Sequence, residues 1–388
     1  MFKKIFNYAL SITILIFTLS CDQAPLFYNI SVQVEPKDPI VGGTPTRMVV
    51  IEHGVDEQTL FVGSVNSSRI HFFRNGSWNS VRTPGRHSLV ALGATSTHLG
   101  AIVMTGSRLD STVLYIYDLS SFDGSDMGDP TTISIPSGYS AQSLFGAGTN
   151  FYIGVMHVNS NIEFYSVFSV AQGVTTLSDV RIGETITVGD RQRSDIGMLS
   201  GAAEIGGTTY LSAGGHVFTT ASGTPSINGI PTNITVTGLI NAGTTLIAVA
   251  RDGNNGRLYT LTSGSSTFSH HLDGPVFTGG LGVKRNAADT QDESLLIGVR
   301  GSGMNDHGYR IIGLDGSGVP TGSLNNPSTT DAVHRGSIGV RPVLDIMQVP
   351  AAVLGQTAGS NWTGNIIFAG TSLNGLMSNR SGEWNAED

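Results

Sequence analysis

Residues 60–79 read LFVGSVNSSRIHFFRNGSWN, and residues 366–385 read IIFAGTSLNGLMSNRSGEWN. Allowing one extra residue in the first hairpin, Gly63 meets Gly370, Arg74 meets Arg380, Gly76 meets Gly382, and Trp78-Asn79 meets Trp384-Asn385. Both stretches run strand, turn, strand, glycine turn, tryptophan-bearing strand. A unit that recurs at the two ends of a 388-residue chain points to a repeat architecture, because each copy needs neighbours to bury its apolar faces.

Working inward, a second motif recurs at Gly148-Thr149-Asn150-Phe151, Gly207-Thr208-Thr209-Tyr210 and Gly243-Thr244-Thr245-Leu246, with Thr95-Ser96-Thr97-His98 as a degenerate copy. Each lies between apolar strands. Glycine supplies the positive φ of a tight hairpin, and threonine fits the pleated edge beside it. Together these signals define a unit of four strands, A to D, with a Gly-Thr hairpin, a polar loop and a glycine turn between them. Seven copies can be drawn, at about 45–83, 87–136, 139–190, 194–231, 233–273, 275–327 and 335–388. Their mean length is close to 49 residues. About 340 residues exceeds the usual limit of roughly 250–300 for one hydrophobic core unless the architecture repeats. The expected fold is therefore all-β, a single propeller of seven four-stranded blades over 45–388, with six or eight blades as the alternatives.

Composition agrees. Glycine, at 51 residues, is nearly twice the ordinary share, and charged residues at 13% are about half of it. Few lysines and glutamates argue against long surface helices. Removing residues 1–20 takes Lys3 and Lys4 and no acidic residue, so the net charge of −8 becomes −10. That balance disfavours nucleic acid and anionic membrane surfaces as partners.

Residues 1–20 carry Lys3 and Lys4, an apolar run from Ala9 to Leu19, and then Ser20-Cys21. Positive, apolar, then small residues is the order of a secretory signal, and the run is too short for a comfortable membrane span. Cys21 is the only cysteine, which excludes intramolecular disulfides. Its position resembles the lipidated cysteine of bacterial lipoproteins; the Thr18-Leu19-Ser20 approach is similar to the relaxed boxes of spirochaetes. That resemblance implies acyl chains on Cys21 and a lipid-anchored place in the cell envelope, at the outer membrane or cell surface. Residues 21–44, with Pro25, Pro36, Pro39 and Gly42-Gly43, read as a tether with one short strand at Tyr28 to Val34.

The end blades also resemble a known repeat. Ala369-Gly370-Thr371, Asn374-Gly375-Leu376 and Gly382-Glu383-Trp384 are similar to the Asp-box and two-component-regulator propellers. That resemblance implies the propeller fold, and for sialidase relatives it implies three arginines around a carboxylate with a tyrosine nucleophile. Here Arg74 and Arg380 stand where the box has its aspartate, and the tryptophan follows the glycine one residue sooner. The later arginines do not occupy equivalent positions in successive blades on this reading, so a glycan hydrolase is the alternative rather than the main expectation.

Other candidates reduce to structure. His270-His271 with Asp273 reads as an outer strand, Asp252 to Gly256 as a hairpin, and Trp78 and Trp384 as blade-packing residues. No Gly-Lys-Ser/Thr follows a glycine-rich segment, and no cofactor or metal is expected. Propeller geometry puts D-to-A and B-to-C connections on one face. That face collects Arg191, Arg193, Arg251, Arg300, His307 and Arg335, a basic cluster on an acidic chain. The expected function is a membrane-anchored binding protein, either an envelope scaffold or a surface adhesin. It would be a monomeric domain that takes a protein or anionic glycan on this face, with ligand sensing as a further alternative.

Overall fold

The computed structural model describes residues 41, 44–52, 58–107, 111–157, 162–163, 165–180, 185–188, 191–194, 197–220, 227–285, 292–301, 307–325, 338, 342–350, 365–372, 375–379 and 384–387. The chain divides into two compact units, residues 1–38 with 388, and residues 39–387. The leader, Cys21 and the strand expected at Tyr28 to Val34 all lie outside the described residues. Among the described residues, no helix is long and apolar enough to cross a membrane.

The second unit is a seven-bladed β-propeller. Its blades span 45–82, 88–134, 139–180, 199–219, 235–274, 276–325 and 343–386, each an antiparallel meander. Six have four strands, and the fourth blade has three among the described residues, Leu199–Ile205, Thr208–Ala213 and His216–Thr219. The first strand of every blade is innermost, since these strands touch one another in sequence around the axis. The hairpins between first and second strands turn as their glycines require. Gly243, for example, sits at φ +53°, a conformation side chains rarely adopt.

Blade 3 departs from expectation. It ends at Val180, while Thr185–Val188 and Arg191–Ser194 form a separate hairpin. That hairpin pairs in parallel with Ile162–Glu163, between the second and third strands of the same blade. The segment Thr-Ile-Thr-Val, Gly-Asp, Arg-Gln-Arg-Ser carries its own strand–turn–strand pattern, so it folds on itself. The stretch around Arg191 is thus a strand and not a loop.

All seven innermost strands carry a register irregularity near their outer start, such as Pro45/Arg47, Leu89/Ala91, Leu199/Gly201, Val236/Gly238 and Val343/Asp345. A bulge sharpens local twist and re-aims side chains. Hydroxyls beside it then reach the next blade. The Ser143 hydroxyl donates to the Leu199 carbonyl at 2.9 Å, that of Ser200 to Val236 at 2.8 Å, and that of Thr278 to Val343. Gly63 explains the recurring glycine of the second strand, because a Cβ there would lie 2.6 Å from Leu89 of blade 2.

Among the described residues, no strand is exchanged between the first and last blades, and side chains join them across the ring. Phe368 of blade 7 packs on Phe73 and Trp78 of blade 1, with centroids 6.1 and 6.2 Å apart. The Trp78 indole donates to Glu387 at 2.6 Å, and Ser378 also donates to that buried carboxylate. Trp384 repeats the device one blade earlier, packing edge-on against Tyr309 of blade 6. Both tryptophans therefore clamp neighbouring blades, as their repeat positions predict. Arg74, at the place of the box aspartate, is buried, and its guanidinium donates to the Phe122 carbonyl of blade 2 at 2.6 Å.

Candidate functional site

Arg251 and Arg300 end up together. Arg251 lies opposite Thr235, the first residue of blade 5's innermost strand, and Arg300 lies opposite Val276, the first of blade 6's. The two arginines occupy the same register position in adjacent blades, contrary to the expectation of non-equivalence. The signal was present, because they stand 49 residues apart, one mean blade length. Both are exposed. They line a groove of about 320 Å³ with Thr237, Phe277, Thr278, Leu344 and Ser372, so its walls come from blades 5, 6 and 7. The Arg251 Nε donates to the Gly253 carbonyl at 3.0 Å, which directs the guanidinium along the blade 5 hairpin. Two planar cations in a groove of apolar and hydroxyl side chains suit a carboxylate or another oxyanion.

The other expected residues fall elsewhere. His307 Nδ1 accepts the Gly301 N–H at 3.2 Å and so ties the ends of one connection together, outside the groove lining. Arg191 and Arg193 belong to the hairpin that follows blade 3. Arg335 lies outside the described residues. No group of three or more His, Cys, Asp or Glu able to hold a metal occurs among the described residues.

A second site lies on the axis. A cavity of about 330 Å³ is lined by Arg47, Phe145, Ser200, Glu204, Asn241 and Asp345, drawn from blades 1, 3, 4, 5 and 7. Arg47 reaches from blade 1 to blade 3, where its guanidinium carbon stands 4.2 Å from the Phe145 ring centroid. Burial pulls its pKa down, and the nearby Asp345 carboxylate opposes that. Asp345 is pushed up to about 6, first by burial, against Arg47 and the N–H groups of Met48 and Ile346. Those two donors lie 2.6 and 3.1 Å from its oxygens. Both side chains keep some accessible surface because the cavity itself admits solvent.

The Asp345 shift has a sign that can be measured. Its folded value of about 6 exceeds the ordinary aspartate value of about 3.9, so the folded state holds the proton more tightly. Its stabilising contribution is complete below about pH 4 and disappears as pH rises through about 6. The loss is on the order of 1–3 kcal/mol, from about 1.4 kcal/mol per unit between the two values. Urea denaturation at pH 4.5 and 7.5 should show this fall in the wild type, and Asp345→Asn should lack it. Equal pH slopes in both proteins would contradict the assignment.

No protein-family model matches this sequence, and no curated protein matches it. Solved structures do share the fold. A protein described as a 6-phosphogluconolactonase from Bacteroides fragilis aligns with a TM-score of 0.51 and 13% identity, over 86% of this chain and 94% of its own. A protein of the same description from Bacteroides uniformis gives 0.51 and 12%, over 85% and 95%. The extracellular domain of a one-component system from B. thetaiotaomicron gives 0.48 and 11%, over 88% of this chain. This chain spans only 39% of that longer structure. At such identities the likeness concerns the fold alone.

Proposed function

We propose that the chain is a lipid-anchored, extracytoplasmic binding protein that presents the blade 5–7 groove to an acidic partner, a protein or an anionic glycan. The observation that carries this reading is the pairing of Arg251 and Arg300 at one register position on either side of the groove. A chain of net charge −8 repels acidic surfaces in general, so two exposed arginines in one concavity concentrate whatever attraction it has. The leader ending at Cys21 supports the anchor, and two acyl chains suffice for stable attachment. The rigid disc of blades leaves loop composition, not backbone movement, to select the partner.

Affinity capture from envelope extracts with the full chain, read by mass spectrometry, tests the reading. Arg251→Glu with Arg300→Glu should reduce the captured partner at least about tenfold, the scale of losing two charge-assisted contacts. Radiolabelled palmitate should be incorporated by the wild type and not by Cys21→Ser. Capture at equal yield by the doubly substituted chain overturns the groove assignment, and palmitate retained by Cys21→Ser overturns the anchor.

A further inference from the structure

The axial cavity poses a separate question, because its arginine is not used up by the fold. Among the described residues, the Arg47 guanidinium has Phe145 under one face and Asp345 in its field, and it donates no hydrogen bond. An arginine serving only to tie blade 1 to blade 3 would place its in-plane N–H groups on backbone carbonyls, as Arg74 does at Phe122. Here the donors are left for the cavity. The stacked guanidinium is held planar and oriented, the arrangement that grips a carboxylate through two parallel hydrogen bonds.

The remaining polar groups have the opposite charge. Asp345, beside Arg47, and the exposed Glu204 line the same 330 Å³ space, as do Ser200 and Asn241. Both oxygens of Asp345 are already fixed by backbone N–H groups, so its position is set before any ligand arrives. A simple anion would satisfy Arg47 and meet two carboxylates. A simple cation would satisfy the acids and meet Arg47. Only a molecule with a positive and a negative end answers both kinds of charge.

A chamber with an apolar collar and a polar remainder adjoins this space. A cavity of about 440 Å³ at the hairpin end of the axis shares Ile240 and Leu281 with the charged one, and adds Val50, Val283 and Met347. We infer that the axis binds a free α-amino acid with an apolar side chain. Its carboxylate lies on Arg47, its ammonium faces Asp345 and Glu204, and its side chain points into the collar of Val50, Ile240, Leu281, Val283 and Met347. The chamber is large enough for leucine, isoleucine, methionine or phenylalanine, and Glu52, Gln58, Arg285 and Gln348 make the polar part of its lining.

Thermal denaturation of the full chain against each of the twenty amino acids, with isovalerate and isobutylamine as half-ligands, tests this. At a hundredfold excess over Kd, an apolar amino acid should raise Tm by about 3–5 °C, and neither half-ligand should do so. Arg47→Lys keeps the charge and loses the planar fork, and calorimetry should show binding at least about tenfold weaker. Glu204→Gln removes a carboxylate of the same cavity and should weaken binding as well, which decides the matter if Arg47→Lys fails to fold. The inference fails if no amino acid stabilises the wild type, if isovalerate alone does so equally, or if both variants bind as the wild type does.

Discussion

Replacing Phe368 by alanine should cost about 3–5 kcal/mol, the range for deleting a fully buried phenylalanine ring. Phe368 has no accessible surface. It lies in the second strand of blade 7, against Phe73 and Trp78 of blade 1 and in a cluster with Met48, Leu60 and Val62. Between most blades the chain itself limits separation, because a short connection joins them. Between blades 7 and 1 no connection exists, and each blade is built from its own contiguous segment. The loss therefore falls on the seam that no chain connection spans. Chemical denaturation should show a lowered midpoint, and limited proteolysis should cut blades 1 and 7 first. Phe368→Leu, which keeps most of the volume, should recover more than half of the loss. A cost below about 1 kcal/mol for the alanine variant would mean that the hydrogen bonds of Glu387 and Asp345 hold the seam without the ring.

Gly146→Ala should be comparably damaging for a different reason. A Cβ at Gly146 would lie 1.7 Å from the carbonyl oxygen of Ala94 and 2.4 Å from its carbonyl carbon. The obstacle is backbone of blade 2, at the end of its innermost strand, and has no rotamer to change. Overpacking of well-packed sites costs typically about 1–3 kcal/mol and occasionally more, and a clash with backbone belongs at the upper end. Gly313→Ala is the control, since its nearest neighbour is the Thr321 hydroxyl at 3.1 Å and its φ is outside the left-handed region. That variant should stay within about 1 kcal/mol of wild type. Matching denaturation curves for Gly146→Ala and Gly313→Ala would show that blades 2 and 3 can part at the axis without cost.

Much of the disc was legible because blades are local objects. The Gly-Thr hairpins, the alternation in the third strands and the tryptophan-bearing outer strands at the two ends each report on residues a few positions apart. That is enough to place the first and last strands of most blades within a few residues. Blade 3 was misjudged where a polar hairpin, Thr185 to Ser194, has the same strand–turn–strand grammar as a blade. Grammar alone does not say which sheet a strand joins.

The groove was half legible. Arg251 and Arg300 were singled out as members of a basic face, and their one-repeat spacing carries the equivalence that the register shows. The axial cavity was not legible at all. Arg47, Phe145 and Asp345 come from three blades, and the bulge at Pro45/Arg47 and Val343/Asp345 breaks the two-residue period that would have marked a facing.

By itself, then, the sequence determined an all-β chain of repeated four-strand units, because turn chemistry and strand alternation act over short distances. Only the tertiary structure decided that Arg47 reaches Phe145 of blade 3 and that Asp345 stands beside it. Those meetings depend on seven blades closing at one angle, and closure is a property of the ring that no single blade carries.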